Sequence, residues 1–124
     1  MSEKKHTAIL GASENPTRYA YLAANRLKDA NHPISMVSIK KGKLFDIPFM
    51  DIKGKPKIEN LHTITLYIGA RQLNQWLDYI LMLKPKRIIF NPGTEHEGLA
   101  AEAEKRGIEV VYACTLVMLS TGQF

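Results

Sequence analysis

Short apolar, β-prone runs alternate with helix-period runs along this chain, and that alternation leaves few folds open. Residues 6–10 form the first apolar run, which ends at Gly11. Residues 17–30, rich in Ala and Leu, read as a helix with Leu22, Leu27 and Ala30 along its buried side. Asn15 stands at the expected cap and Pro16 at the first helical position, where a missing N–H costs nothing. Asn31 and Pro33 stop this helix. Residues 34–39 alternate in polarity and predict a second strand. Residues 40–61 carry Gly and Pro punctuation near their centre and read as loop, with room for one turn of helix. Residues 62–68 alternate again and predict a third strand. From Arg71 onward, Leu73, Trp76, Leu77, Ile80, Leu81 and Leu83 follow one helical face until Pro85 ends it. Residues 87–90 predict a fourth, strongly apolar strand. Thr94 and Glu97 have the spacing of a capping box, which predicts a helix over 95–106 with Gly107 as its C-terminal cap. Residues 108–113 predict a fifth strand and 114–119 a short final helix.

Parallel strands need crossover connections, and strand–helix alternation supplies them, almost always with right-handed sense. The expected fold is α/β: a Rossmann-like three-layer sandwich with a five-stranded parallel sheet, order 3-2-1-4-5, and helices on both faces. The 124 residues suffice for a single domain over residues 1–124. At 45% hydrophobic and 23% charged residues, the composition is too apolar for disorder. No apolar run approaches the ~20 residues of a membrane span, so no membrane partner is expected. The opening Met-Ser-Glu-Lys-Lys-His leads into its apolar stretch without a small-residue cleavage site, so no signal peptide is expected. A lone cysteine, Cys114, fits a reducing cytoplasm and excludes a disulfide scaffold or a Cys-cluster zinc site.

The net charge is +5, and its excess is local. Lys40, Lys41, Lys43, Lys53, Lys55 and Lys57 face only Asp46 and Asp51 within residues 40–57. Such a segment attracts phosphates of any kind, or is simply a solvated loop. No RNA-binding aromatic motif and no DNA-binding helix pair accompanies it, so nucleic acid is not the expected partner.

Ligands of open parallel sheets sit beyond the C-terminal strand ends, where strand order reverses. With the expected order, that point lies between strands one and four. The loops there are Gly11-Ala12-Ser13-Glu14-Asn15-Pro16, Lys40-Lys41-Gly42, Gly69-Ala70-Arg71 and Asn91-Pro92-Gly93-Thr94. The first departs from the dinucleotide fingerprint G-x-G-x-x-G, with Ser13 and Pro16 in place of the second and third glycines. Ser13 still offers a hydroxyl, the following helix start offers free N–H groups, and Arg18 offers a charge-assisted bond to phosphate. NAD binders place an acidic residue at the end of strand two; this chain places Lys40 and Lys41 there. A lysine at that point favours a nucleotide with an extra phosphate, coenzyme A or NADP, unless it is merely solvated.

These residues resemble a known family. Thr7-Ala8-Ile9-Leu10-Gly11-Ala12-Ser13-Glu14-Asn15-Pro16 looks like the opening of the small CoA-binding proteins, which are similar to the N-terminal domain of the succinyl-CoA synthetase alpha subunit. Ser38-Ile39-Lys40 stands where the family has Asn-Pro-Lys, and Asn91-Pro92-Gly93 where it has Gln-Pro-Gly. Val111-Tyr112-Ala113-Cys114 matches a closing strand that leads to a cysteine. The resemblance implies CoA, or an acyl-CoA, bound across the strand ends. Gly11, Ala12, Ser13, Asn15 and Arg18 would meet phosphates, with Lys40 near those of the nucleotide. Gly69, Asn91, Pro92 and Gly93 would border the pantetheine or adenine path. Asn91 for Gln, and the 40–57 connection, depart from the family pattern.

The family's resemblance to the synthetase is to its CoA-binding part, whose phosphorylated histidine and nucleotide machinery lie on other domains. A non-catalytic CoA-binding module is therefore the first expectation, free-standing, as a homodimer, or docked on a larger enzyme. His6, His32, His62 and His96 are scattered, without the spacing of metal ligands. His96 near a helix start is a candidate base or a plain surface histidine. Cys114 is a candidate thiolate, able to form a mixed disulfide with CoA, or a buried small hydrophobe. A small enzyme using either residue, an NADP-type binder, and a nucleic-acid binder acting through residues 40–57 stay as alternatives.

Overall fold

The computed structural model describes residues 3–124. Met1 and Ser2, included in the expected domain, lie outside the described residues. The chain runs β1 (Thr7–Leu10), α1 (Tyr19–Asp29), β2 (Ile34–Ser38), β3 (Lys43–Leu44), β4 (Ile47–Pro48), β5 (Met50–Asp51), a 3-10 turn (Ile52–Gly54) and β6 (Thr63–Leu66). It continues with α2 (Ala70–Leu73), α3 (Leu77–Met82), β7 (Arg87–Phe90), α4 (Glu97–Lys105), β8 (Glu109–Tyr112) and α5 (Thr115–Ser120). The Rossmann-like α/β class stands, with a sheet that is parallel at every pairing.

The strand count and order differ from the expectation. The sheet has six strands in the order β5-β2-β1-β6-β7-β8. Counted along the chain, that is 3-2-1-4-5-6. The third strand is not the 62–68 run but β5, which pairs Val37 with Met50 and Ser38 with Asp51. Two residues are too few to show a period of two in sequence, so this edge strand was hidden inside a segment read as loop. The same segment holds the antiparallel hairpin β3–β4, turned through Phe45 (φ 55°) and Asp46 (φ 60°). The correction moves the reversal point: it lies between β1 and β6, not between β1 and β7.

Side chains alternate across the sheet, so each strand feeds two cores. Ala8, Leu10, Ile64, Leu66, Ile88 and Phe90 join Ile80, Leu99 and Ala103 in the larger one, under α3 and α4. Ile9 and Met36 join Ala20, Ala24 and Leu27 of α1 in the smaller one. All four residues of β1, of β6 and of β7 are buried, as expected of central strands covered on both faces. Among the described residues, no helix is long and apolar enough to cross a membrane.

Three helix starts differ from the sequence reading. Arg18, extended at φ −90° and ψ 143°, is the N-cap of α1. Asn15 makes its own turn instead, its amide oxygen accepting the Thr17 N–H at 3.0 Å and the Thr17 hydroxyl at 2.8 Å. Short polar side chains compete with the helix in this way. The expected 71–84 helix is divided into α2 and α3. Its backbone tightens to i−3 bonding, Gln75 N–H to Gln72 O and Trp76 N–H to Leu73 O. The Thr94–Glu97 capping box does not form, because the Thr94 hydroxyl is buried and donates to Asn91 O at 2.8 Å. His96 caps α4 instead, Nδ1 accepting the Leu99 N–H at 3.0 Å. Gly107, at φ 76°, follows that helix as the sequence predicts.

Candidate functional site

Gly11 ends β1 in a conformation that only glycine adopts without strain, φ 99°, and a Cβ there would stand 2.8 Å from Tyr67 O. The close approach lets the chain leave β1 beside the end of β6, with Tyr67 N–H donating to Leu10 O at 2.8 Å. The N–H groups of Gly11 and Ala12 both turn the other way, to Val37 O at 2.9 and 3.0 Å. The turn is thereby stitched between β2 and β6, directly over the reversal point.

A cavity of about 550 Å³ opens above this junction, within the ~300–1,000 Å³ range of small-molecule sites. Gly11, Ala12, Ser13 and Arg18 line one side. Ser38, Ile39 and Lys40 line a second, from the end of β2, and Tyr67, Ile68 and Gln72 a third. Tyr19 and Ala20, the first residues of α1, close the ring. Among the described residues, the N–H groups of Ser13, Tyr19 and Ala20 make no hydrogen bond within the protein. Helix N-terminal N–H groups carry about half a positive charge between them. The one ion pair among the described residues joins Glu102 to Lys105, far along the chain, so Arg18 and Lys40 keep their charge uncommitted. Tyr19, 70% exposed, and Ile39, 50% exposed, put apolar surface at the rim. Beneath it lies the Tyr67 hydroxyl, which burial pushes up to about 12. The Thr65 and Thr115 hydroxyls nearby temper that rise, but they bond each other at 2.7 Å, and among the described residues the Tyr67 hydroxyl has no partner in hydrogen-bonding geometry.

Five of the ten residues singled out from sequence meet here: Gly11, Ala12, Ser13, Arg18 and Lys40. The other five lie outside the lining. Asn15 spends its amide oxygen on Thr17. Gly69 is the N-cap of α2, with nothing within 4 Å of where a Cβ would be. Asn91 is 3% exposed and staples three elements: its amide nitrogen donates to Thr65 Oγ1 at 2.7 Å and Leu66 O at 2.8 Å, and its oxygen accepts the Thr115 N–H at 2.8 Å. Pro92 is exposed, and Gly93 (φ 91°) donates to Glu95 Oε1 at 2.9 Å. Ser38, Ile39, Tyr67 and Ile68 are not among the residues singled out from sequence, although the rule of strand ends points to them, since each stands at or just past the end of its strand. Gln72 carried no sequence signal.

The histidines are bonded into the scaffold. His6 bridges Glu59 O at 3.0 Å and Ser35 Oγ at 2.7 Å. His32 Nδ1 accepts the Lys5 N–H at 3.0 Å, and His62 Nδ1 meets Thr63 Oγ1 at 2.7 Å. His96 has both ring nitrogens engaged, Nε2 meeting Asn74 Oδ1 at 2.6 Å. Burial, reinforced by neighbouring cations, lowers His32 and His62 below the ordinary histidine value. Cys114 is half-buried at the N-cap of α5 and does not line the cavity. Among the described residues, no group of three or more His, Cys, Asp or Glu side chains stands close enough together to hold a metal ion.

The chain is similar to a solved protein described only as uncharacterized: 48% identical, TM-score 0.95, covering 99% of this chain and 100% of that one. Two more distant structures share the fold. One is cell-free ID.343 from Thermus thermophilus, 22% identical at TM-score 0.78, with 98% of this chain and 91% of that chain covered. The other is a hypothetical protein from Pyrococcus horikoshii OT3, 16% identical at TM-score 0.82, with 95% and 83% covered. No curated protein matches the chain. The family model described as CoA binding domain matches residues 5–120, and with nearly the whole chain inside that match, the chain belongs to the CoA binding domain family.

Proposed function

We propose that this protein binds coenzyme A, or an acyl-CoA, in the cavity over the ends of β1 and β2, and that it does so as a non-catalytic module. The observation that carries the reading is the set of uncommitted positive groups converging on one cavity: the N–H groups of Ser13, Tyr19 and Ala20, and the side chains of Arg18 and Lys40. A ligand with three phosphates suits that set, since charge-assisted bonds are the strong ones. Arg18 and the turn would take the diphosphate, and Lys40 the additional phosphate of the ribose. The exposed faces of Tyr19 and Ile39 would cover the flat adenine ring. The histidines, bonded into the scaffold, and Cys114, outside the lining, support binding without chemistry.

Isothermal titration with CoA, 3′-dephospho-CoA and NADP tests the proposal. The expected result is micromolar CoA binding that weakens by about tenfold without the 3′-phosphate, with that difference largely erased in Lys40→Ala. Heat with NADP and none with CoA would overturn the reading and move the ligand to an NADP-type nucleotide.

A further inference from the structure

The turn assigned to phosphates contains a carboxylate, Glu14, where charge alone would exclude one. Glu14 is exposed, and Glu14 Oε2 accepts the backbone N–H of Lys43 at 3.1 Å, across 29 positions of sequence. Lys43 opens the β3–β4 hairpin. The residues just before it, Ile39 and Lys40, form the second wall of the cavity. That stretch is fixed at its start by the Lys40 N–H donating to Ser38 Oγ at 3.1 Å, and at its end by the Glu14 bond and by Phe49 N–H donating to Gly42 O at 2.9 Å. The packing is tight: a Cβ on Gly42 would stand 2.9 Å from Phe49 Cε2 and 3.2 Å from Glu14 Cδ.

We infer that Glu14 is a positioning residue, a strut whose carboxylate holds the root of the hairpin against the phosphate turn and so keeps Lys40 at the cavity mouth. The inference rests on the CoA reading for its functional consequence, not for its structural one. Charge and strut make opposite predictions. On charge alone, removing a negative group beside an anion site tightens binding, in Glu14→Gln and Glu14→Ala alike. As a strut, Glu14→Gln keeps an acceptor oxygen and binds CoA as well as the native chain or better. Glu14→Ala loses the acceptor and weakens CoA binding by about threefold to tenfold, the equivalent of one hydrogen bond. Gly42→Ala, whose Cβ would press on the side chains of Phe49 and Glu14, weakens it in the same direction.

Hydrogen exchange at the Lys43 amide, measured without ligand, is the second readout. Protection is expected in the native chain and in Glu14→Gln, and its loss in Glu14→Ala. CoA binding by Glu14→Ala as tight as native, or equal Lys43 exchange in Glu14→Ala and the native chain, overturns the strut. If the native chain gives no heat with CoA, the ligand reading fails and the exchange comparison alone judges the strut.

Discussion

Replacing Gly11 by alanine is the most demanding test of how this site is built. At φ 99°, Gly11 lies beyond even the left-handed region that other residues tolerate, and the conformational penalty alone is about 1–2 kcal/mol. The added Cβ would meet Tyr67 O at 2.8 Å, Tyr67 C at 2.9 Å and Ile68 Cγ1 at 3.2 Å. Two of these are backbone atoms of the neighbouring strand end, so no side chain can swing away to relieve the contact. Relief requires β1 and β6 to part at their C-terminal ends. Parting strains the Tyr67 N–H bond to Leu10 O, and any shift of Gly11 away from Tyr67 distorts the two bonds on its other side, from Gly11 and Ala12 to Val37 O, each worth about 1 kcal/mol net. Together these give a destabilisation of about 3–5 kcal/mol, a large share of the ~5–15 kcal/mol by which domains are stable. Urea unfolding followed by circular dichroism measures it as a lower midpoint at unchanged m-value, and thermal unfolding as a drop of roughly 10–20 °C. A loss under about 1 kcal/mol would refute the close-approach argument, since it would mean that the strand ends yield freely.

Two further perturbations test the scaffold around the site. Burial holds His32 and His62 below the ordinary histidine value of 6.5, so the unfolded chain binds protons that the folded chain refuses. Their contribution is fully present above pH 6.5 and is lost as pH falls from there toward the lowered folded values. Stability should therefore decline on acidification below pH 6.5, and His32→Asn should flatten that slope in pH-dependent urea titrations. Asn91→Ala orphans the Thr115 N–H and strips partners from Thr65 and Leu66, an expected loss of about 2–4 kcal/mol. Because Asn91 does not line the cavity, the folded fraction should bind CoA within about threefold of native by titration; a loss of binding without a loss of stability would make Asn91 a ligand contact instead.

The class of fold was legible because central parallel strands are buried on both faces and therefore read as apolar runs, as residues 87–90 do. What the pattern missed was decided by contacts distant in sequence. β5 is two residues long, and only its pairing with Val37 and Ser38 makes it a strand. His96 rather than Thr94 caps α4 because the Thr94 hydroxyl is drawn into the Asn91 turn. The spacing of a capping box was present, but a competing acceptor took one of its members.

The candidate site divides along the same line. Gly11, Ser13, Arg18 and Lys40 were legible because residues at strand ends and helix starts need only local geometry to face a common crevice. Asn91, Pro92 and Gly93 joined them through the family resemblance and through the same rule applied to a sheet missing one strand. Once β5 is counted, the reversal point moves to the β1–β6 junction and β7 stands one strand removed from it. The turn after β7 then becomes free to serve packing, and Asn91 ties β6 to the start of α5. One unrecognised two-residue strand at the edge of the sheet thus shifted the expected reversal point by a whole strand at its centre, because that point is set by strand order and not by the motif that follows any single strand.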